Sequence, residues 1–253
     1  MGNTDAVRSV ETAVQIVERI DALGGTATIA ELDDHLPLAK STIYKHLNTL
    51  RTQGYVVKSD DSYRFGLQLL ELGGVARQYD GLYQVAKPKV REMAERTGEV
   101  ANLAFEERGW GRYVYTVSGE QAADIDTHIG KRIPLHSTGL GKALLASLPE
   151  EESEAIIENR ELHAQTEQTI TDRTDLREEI GSIRAEDVAY DTEEHLRGMG
   201  CVAAPIRIPG RRHAAISVTG PVSRVTTDEM RDEYARIVRR AANVIELDLS
   251  SEK

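Results

Sequence analysis

The alternation of apolar and polar residues near the N-terminus predicts two helices separated by a glycine pair. Residues 9–23 repeat apolar side chains at helical spacing. The predicted core face of this first helix consists of Val10, Ala13, Val14, Val17 and Ile20. A second helix is expected where Thr28 is followed three residues later by Glu31, because this spacing forms a capping box. Pro37 ends that helix, since proline lacks the backbone N–H that a helix interior needs.

The hydrophobic pattern of residues 40–65 predicts a third helix followed by a two-stranded hairpin. At 100° per residue, the apolar positions fall within about 40° of one direction and form a narrow stripe. These positions are Ala39, Ile43, Leu47 and Leu50. Gly54 ends the helix, and strands at 55–58 and 63–65 follow across a short turn. The sequence therefore predicts a winged helix-turn-helix over residues 1–66.

The face of the third helix opposite the apolar stripe carries hydrogen-bonding groups, one aromatic ring and one cation. It contains Ser41, Tyr44, Lys45, Asn48 and Thr52, and no carboxylate. Such a face suits the major groove of DNA, although a merely solvated helix face would look similar. The wing would place Tyr63 or Arg64 near the sugar-phosphate backbone. The predicted DNA-binding residues are Arg8, Lys40, Ser41, Thr42, Tyr44, Lys45, Asn48, Tyr63 and Arg64.

A linker helix is predicted over residues 67–80, at the start of a second domain that spans 67–253. Leucines recur along this helix at 67, 69, 70 and 72, so the segment is not expected to stay in solvent. We expect it to pack against a copy of itself in a homodimer, because regulators of this kind read two half-sites related by a dimer axis. The alternative is that the helix packs only on its own domain.

The rest of the chain alternates short strands with helices. The predicted helices span residues 81–97, 137–147, 149–159, 173–186 and 226–247. The predicted strands span residues 99–105, 112–117, 125–128, 188–190, 201–206 and 213–218. Hairpin strands with helices grouped on one side indicate an α+β domain built on an antiparallel sheet.

The charge balance argues against a nucleic-acid binder at first sight. The formal net charge is -11, and residues 1–80 alone carry eight basic and eleven acidic residues. Locally the pattern is different, because no acid lies between Lys40 and Lys58. The overall acidity, with 23 Arg and only 8 Lys, resembles proteins of salt-loving organisms. A halophilic source is therefore a hypothesis, under which direct base contacts would carry more of the DNA affinity.

The sequence contains no apolar run long enough for a membrane span, and its N-terminus lacks an apolar signal core. We therefore expect a cytoplasmic protein. The single cysteine, Cys201, excludes an intrachain disulfide and a multi-cysteine metal site, and no cofactor is expected.

Residues 134–142 predict an anion site at the start of a helix. Small residues lead directly into this helix, so its backbone N–H groups and positive dipole end should be unobstructed and suited to a carboxylate. The residues expected to form this site are Ser137, Thr138, Gly139 and Leu140.

Two further segments are expected to join this helix start in a small-molecule pocket. The first is Asp191 with Glu193 and Glu194, just after a strand. The second is Cys201 together with Ser217 and Thr219 on a later strand, where these two residues lie two apart and so face the same way. Each feature alone also has an ordinary scaffolding explanation.

Two other functions stay open: a thiol-dependent enzyme with Cys201 as nucleophile and His195 or His213 as base, and a sensor that acts only through protein contacts.

Several blocks of the chain resemble the IclR-type family of transcriptional regulators. They are RSVETAVQIVERI and STIYKHLNTLRTQGYV in the first half, and GKRIPLHSTGLGKALLA, YDTEEHLRGMGCVAAPI and AAISVTGP in the second. The resemblance runs from about Val7 to about Leu247. It implies a winged helix domain, a GAF-like effector domain, dimers that often pair into tetramers, and effectors that are commonly small carboxylates or aromatic acids.

The resemblance also implies roles for individual residues. The family's effector contacts match Gly139 and Leu140 as backbone donors, and the matching side chains are Asp191, Cys201, Ser217 and Thr219. Thr219 stands where some sensors of small acids have serine, and residues 207–212 lack the usual acidic turn. We therefore expect a non-enzymatic, ligand-responsive regulator of operator DNA.

Overall fold

The computed structural model describes residues 6–79, 81–225 and 227–251. Backbone contacts divide the chain into two compact units, Met1–Arg77 and Gln78–Lys253. The expected boundary at residue 66 lies before the linker helix, whereas the contacts place the boundary at the end of that helix.

The N-terminal unit contains three helices and a small antiparallel sheet. The helices are α1 (Arg8–Ala22), α2 (Ile29–His35) and α3 (Lys40–Thr52), and the strands are β1 (Thr26–Thr28), β2 (Val56–Ser59) and β3 (Ser62–Phe65). The strand order is β1-β3-β2. The capping box is confirmed, since Glu31 N–H donates to Thr28 Oγ1 and Thr28 N–H donates to the Glu31 carboxylate at 2.7 Å. The three residues of β1 were not predicted as a strand.

The buried face of α1 differs from the predicted one. Thr12, Ile16 and Ile20 point into the core, whereas Val10 and Val14 are 59% and 49% exposed. At 100° per residue the two valines lie about 120–160° from Ile16, so the helix cannot bury both sets. The predicted position of Ala39 in the stripe of α3 is also wrong, because this residue caps the helix and is exposed.

The linker helix is α4 (Gln68–Gln78), and no side chain along it is buried. The exposed apolar residues here are Leu67, just before the helix, and Leu70, Leu72 and Val75 within it. Water is an unfavourable neighbour for so many adjacent apolar side chains, so this helix presents a surface suited to another protein surface.

The C-terminal unit is built on one six-stranded sheet. Its strands are β4 (Val100–Glu107), β5 (Trp110–Ser118), β6 (Arg132–Ile133), β7 (Ala189–Thr192), β8 (Met199–Ile206) and β9 (Ala214–Pro221). The order is β6-β5-β4-β9-β8-β7, and every neighbouring pair is antiparallel. The α+β class with an antiparallel sheet is confirmed. The strand predicted at 125–128 is wrong, because that segment is irregular and the strand lies at β6 instead.

Helices cover both faces of this sheet. They are α5 (Leu82–Thr97), α6 (Gly139–Ser147), α7 (Glu150–Asn159), α8 (Arg173–Glu186), α9 (Val222–Val225) and α10 (Asp228–Ser250). Side chains of α5 and α10 share one core with Ile216 of β9, while side chains of α6 and α8 share the other core with the adjacent Ala215. The expectation that the helices group on one side is therefore wrong. The predicted start of the last helix, residue 226, lies outside the described residues.

Helix α6 packs too closely for any side chain at Gly141, which gives a direct test of the fold. A Cβ there would overlap the Pro134 carbonyl oxygen and lie 2.7 Å from Leu135 Cα. Because the obstacle is backbone, we expect Gly141→Ala to lower the free energy of unfolding by about 1–3 kcal/mol, measured by urea denaturation.

The matched control is Gly181→Ala in α8, where a Cβ would meet nothing within 4 Å. This change should raise the free energy of unfolding by about 0.5–1 kcal/mol, because alanine favours helix. Equal effects of the two substitutions would contradict the close packing of α6.

Candidate functional site

Helix α3 presents its polar face to solvent. Ile43 and Leu47 are completely buried, whereas Ser41, Lys45, Asn48 and Thr52 are exposed and Tyr44 is 54% exposed. Thr42 lies at the edge of this face and is half-buried. The predicted hydrogen-bonding face is thus accessible along the whole length of the helix.

Two polar contacts on this face involve predicted DNA-binding residues. Arg51 Nη2 donates to Asn48 Oδ1 at 2.9 Å, and Lys40 Nζ lies 3.5 Å from Asp33 Oδ2 of α2. The first contact is an exposed hydrogen bond and the second is an ion pair at the surface, and surface contacts of this kind contribute little to stability. These side chains can therefore leave their present contacts and bind another partner.

The wing does not place Tyr63 as predicted. Its side chain is 2% exposed and belongs to the core of the N-terminal unit, so the expectation that it contacts DNA is wrong. Side chains alternate across a strand, and Tyr63 takes the inward position while Arg64 takes the exposed one. Arg64 therefore stays a candidate, as does the exposed Arg8 at the start of α1.

A cavity of about 290 Å³ lies in the C-terminal unit, where β7 and β8 meet the start of α6. Five predicted effector residues line it: Thr138, Leu140, Asp191, Cys201 and Thr219. The volume is at the lower end of the range found for small-molecule sites. The structure thus brings together residues that lie up to 81 positions apart, between Thr138 and Thr219.

The other three predicted residues stand behind the cavity wall. Ser217 is fully buried, and its Oγ accepts a hydrogen bond from Asn102 Nδ2 at 3.4 Å. Ser137 is also fully buried. Gly139 supports the wall, since a Cβ there would lie 3.2 Å from Cys201 Sγ and 3.4 Å from Asp191 Cβ. A larger residue at this position would push the cysteine or the aspartate away.

The backbone N–H groups at the start of α6 are not unobstructed, contrary to the prediction. Asp191 and Cys201 lie against Gly139 at this helix start. The Gly139 N–H acts to lower the pKa of Asp191, and the Leu140 N–H acts to lower the pKa of Cys201. Gly141 N–H donates to Thr138 Oγ1 at 2.9 Å. The Asp191 carboxylate of the protein itself therefore lies at this helix start, where the helix dipole favours a negative charge.

Asp191 lies in a buried ionic cluster. Burial raises the pKa of Asp191 to about 6, against the opposing effects of backbone hydrogen bonds and of Lys142. Lys142 is 1% exposed, and its Nζ lies 2.6 Å from Glu194 Oε1 and 2.8 Å from Glu179 Oε1. Burial also raises the pKa of Glu194 to about 7. The cavity wall and the ionic cluster behind it therefore each hold an acid that can gain a proton near neutral pH.

The thiol of Cys201 is poorly suited to nucleophilic chemistry. Burial, and then the charge of Asp191, raise its pKa to about 12, so the reactive thiolate is scarce at neutral pH. Of the two proposed bases, His213 has Nδ1 3.0 Å from the Ser147 carbonyl oxygen. Burial lowers the pKa of His195. These observations argue against a thiol-dependent enzyme.

Several residues of the site were not among the predicted effector residues, although His195 was considered as a base and Glu194 was noted beside Asp191. Tyr113, Lys131 and His195 line the cavity, and Lys142 and Glu194 form the ionic cluster behind it. The role of Lys142 could have been predicted, since it is the one charged residue in the apolar stretch GLGKALLAS. A lysine inside an all-buried helix needs a buried carboxylate partner.

Among the described residues, none of the helices combines the length and apolar character needed to cross a bilayer.

Two family models match the chain. One, described as the IclR helix-turn-helix domain, covers residues 9–60, and the other, described as bacterial transcriptional regulator IclR C-terminal, covers residues 76–247. "Probable HTH-type transcriptional regulator ArcR" of Halobacterium salinarum is 32% identical to the chain over 257 residues, which cover 99% of this chain and 97% of that protein. "Transcriptional repressor IclR" of Escherichia coli is 31% identical, over 95% of this chain and 90% of that protein.

Solved structures agree with this assignment. The crystal structure of Thermotoga maritima IclR matches with a TM-score of 0.76 and 29% identity, over 96% of this chain and 98% of that chain. An IclR homolog of Microbacterium hydrocarbonoxydans, complexed with 4-hydroxybenzoate, matches with a TM-score of 0.84 over 96% of this chain and 100% of that chain. At 24% identity this second likeness shows the fold alone. The chain therefore belongs to the IclR family of transcriptional regulators.

Proposed function

We propose that the protein binds operator DNA through α3 and that a small carboxylate in the cavity of the C-terminal unit alters this binding. The observation that carries the proposal is the cavity itself, which joins Asp191, Cys201 and Thr219 at the start of α6. The exposed and acid-free face of α3 supports the DNA-binding part. Arg64 and Arg8 would contact phosphates, which position the protein without reading sequence.

The lining of the cavity supports an effector with an acidic group on a compact body. Polar groups concentrate around Thr138, Asp191 and Thr219, whereas Tyr113 and Leu140 contribute apolar surface. Ligand sites commonly combine such a wall with a few placed polar groups. The homolog with bound 4-hydroxybenzoate makes that compound a sensible first probe, followed by other small acids and acids derived from sugars.

The effect of the effector on DNA binding would arise from a difference between its affinities for two arrangements of the protein. An effector that prefers one arrangement of the two DNA-binding units in a dimer shifts the population toward it, by the ratio of its affinities for the two states. Operator affinity then changes by the same coupling free energy. Homodimerisation is part of the proposal, and the exposed apolar residues of α4 support it.

Substitution of Lys45 by glutamate tests DNA binding by α3. Lys45→Glu removes a cation from the exposed face and adds repulsion toward phosphate, so we expect at least about a tenfold loss of affinity for promoter DNA in gel-shift or fluorescence assays. The control is Arg236→Glu, the same charge reversal on the exposed face of α10. Unchanged DNA binding by Lys45→Glu would favour a sensor that acts only through protein contacts.

Substitution of Leu70 by glutamate tests the dimer. Leu70 is 73% exposed on α4, and burying a carboxylate there in an interface would cost more than the leucine contributes. We expect Leu70→Glu to shift sedimentation from dimer toward monomer. Ile129→Glu changes an exposed apolar residue of the C-terminal unit and should sediment as the parent protein does. A dimer that survives Leu70→Glu would place the interface elsewhere.

Substitution of Asp191 by alanine tests the effector site. Asp191 Oδ1 accepts the Glu194 N–H at 2.7 Å, so its removal frees the segment that carries the lining residue His195. We expect Asp191→Ala to lose the thermal-shift response to small acids and the effect of these acids on DNA binding, while DNA binding without effector persists. Asp248→Ala, an exposed position on α10, is the matched control. A full response in Asp191→Ala would contradict the assignment of the cavity.

A further inference from the structure

The Asp191 carboxylate occupies the position that an effector carboxylate needs. It accepts a hydrogen bond from Glu194 N–H at 2.7 Å and lies against Gly139, where a Cβ would be 3.4 Å from Asp191 Cβ. The N–H groups of His195 and Gly139 act to lower its pKa. Gly139 N–H is the first amide of α6, where the helix dipole favours a negative charge. An effector carboxylate at this helix start would therefore lie beside a second carboxylate.

The charges behind Asp191 do not compensate a second anion. Lys142 of α6 is the buried cation, and it already faces Glu194 at 2.6 Å and Glu179 of α8 at 2.8 Å. Glu194 Oε2 is buried without a hydrogen-bond partner among the described residues. Three carboxylates thus share one ammonium before any ligand enters.

The other buried groups around the cavity do not supply the missing positive charge. The lining cation Arg132 is exposed to solvent and lies over the Trp110 ring, at 5.8 Å from its centroid. Cys201 of β8 and Tyr113 of β5 face Asp191, and burial raises the pKa of both, so both stay neutral. His195 faces the cavity, and burial together with Lys131 and His136 lowers its pKa. Lys131 Nζ is held by Asp126 Oδ2 at 2.6 Å, which balances its charge.

We propose that a carboxylate effector enters this cavity together with one proton, which Asp191 holds in the complex. This inference rests on the proposed function, because it concerns how the same site takes its ligand. Asp191 Oδ2–H then donates to the effector carboxylate, Oδ1 keeps the Glu194 N–H, and Gly139 N–H becomes available to the ligand. The proton comes from solvent, and no covalent bond of the effector changes.

The physical reason is the repulsion between two carboxylates in one buried site, of which only one can stay ionised. A hydrogen bond from an acid to a carboxylate is among the strong ones, so the shared proton also adds attraction. Burial has already raised the pKa of Asp191 to about 6 before a ligand enters. Protonation of Asp191 near neutral pH therefore costs less free energy than protonation of an ordinary aspartate.

The sign of the pH dependence follows from the proton count. Above about pH 6 free Asp191 is mainly ionised, so the complex holds one more proton than the free protein. Affinity for a carboxylate should then fall by about tenfold for each pH unit above that value, and should level off below it. A neutral analogue of the same shape should show no such slope.

Calorimetry on the full-length protein tests the proposal, with benzoate and 4-hydroxybenzoate as probes and benzamide as the neutral control. Titrations at pH 7.5 in phosphate and in Tris, whose ionisation enthalpies differ, report the protons taken up. We expect about one proton per carboxylate bound and about none for benzamide. Carboxylate binding without proton uptake would overturn the inference and leave the proposed function intact. Failure of both acids to bind would remove the support for an aromatic carboxylate and for the inference together.

Two variants assign the proton to Asp191. Asp191→Asn keeps an oxygen for Glu194 N–H but cannot ionise, so carboxylate affinity should lose its pH slope and exceed that of the parent protein by tenfold or more at pH 8. Glu92→Gln, which removes an exposed acid of α5, should keep the parent slope. A tenfold slope that persists in a folded Asp191→Asn protein, as judged by circular dichroism, would show that another group holds the proton.

Discussion

The close approach of three chain segments at the start of α6 is the constraint on which the cavity depends. Gly141 lets the helix touch the backbone at Pro134 and Leu135, and Gly139 lets Cys201 and Asp191 reach the helix start. Thr138 closes the arrangement by donating to the Pro134 carbonyl and accepting from Gly141 N–H. With larger residues at these two glycines, β7 and β8 could not bring their side chains to the amides of α6.

This geometry also explains why the C-terminal unit keeps a costly ionic cluster. Burying Lys142 with Glu179 and Glu194 carries a desolvation penalty that apolar residues would avoid. The cluster lies directly behind Asp191 and so sets the charge at the cavity wall. Arrangements that cost stability locally often occur at functional sites. Two large apolar cores, one on each face of the sheet, offset this penalty.

Much of the fold could be predicted because it depends on short sequence signals. The capping box at Thr28 and the apolar stripe of α3 both act within a few residues. The errors have physical causes that lie further apart in the chain. Because helices cover both sheet faces, β8 is buried throughout its strand interior, and the unbroken apolar run at 201–206 was the available signal. Tyr63 was misplaced although strand alternation with exposed Arg64 indicated its inward direction.

The occupied helix start could not be predicted, because it depends on a contact between Gly139 and Asp191 that no local pattern encodes. Both residues were identified from the sequence, but the Gly139 N–H was predicted to bind only a ligand. Electrostatic neighbours of a site depend on which side chains the fold brings together, and pKa values shift only after burial. The residues of an effector site can therefore be recognised from sequence earlier than the protonation state in which they bind.

The acidity of the chain is compatible with DNA binding because of where the acids lie. The face of α3 carries no carboxylate, whereas Asp60 and Asp61 at the tip of the wing are exposed. An acidic wing tip repels phosphate, so under the proposed function the same unit would attract DNA along α3 and Arg64 and disfavour approach at the tip. The charge pattern would thus restrict the orientation of the protein on the duplex more than it raises affinity. A halophilic source stays a prediction, and in concentrated salt this orienting effect would be screened, leaving the hydrogen bonds and packing of α3 to determine the register.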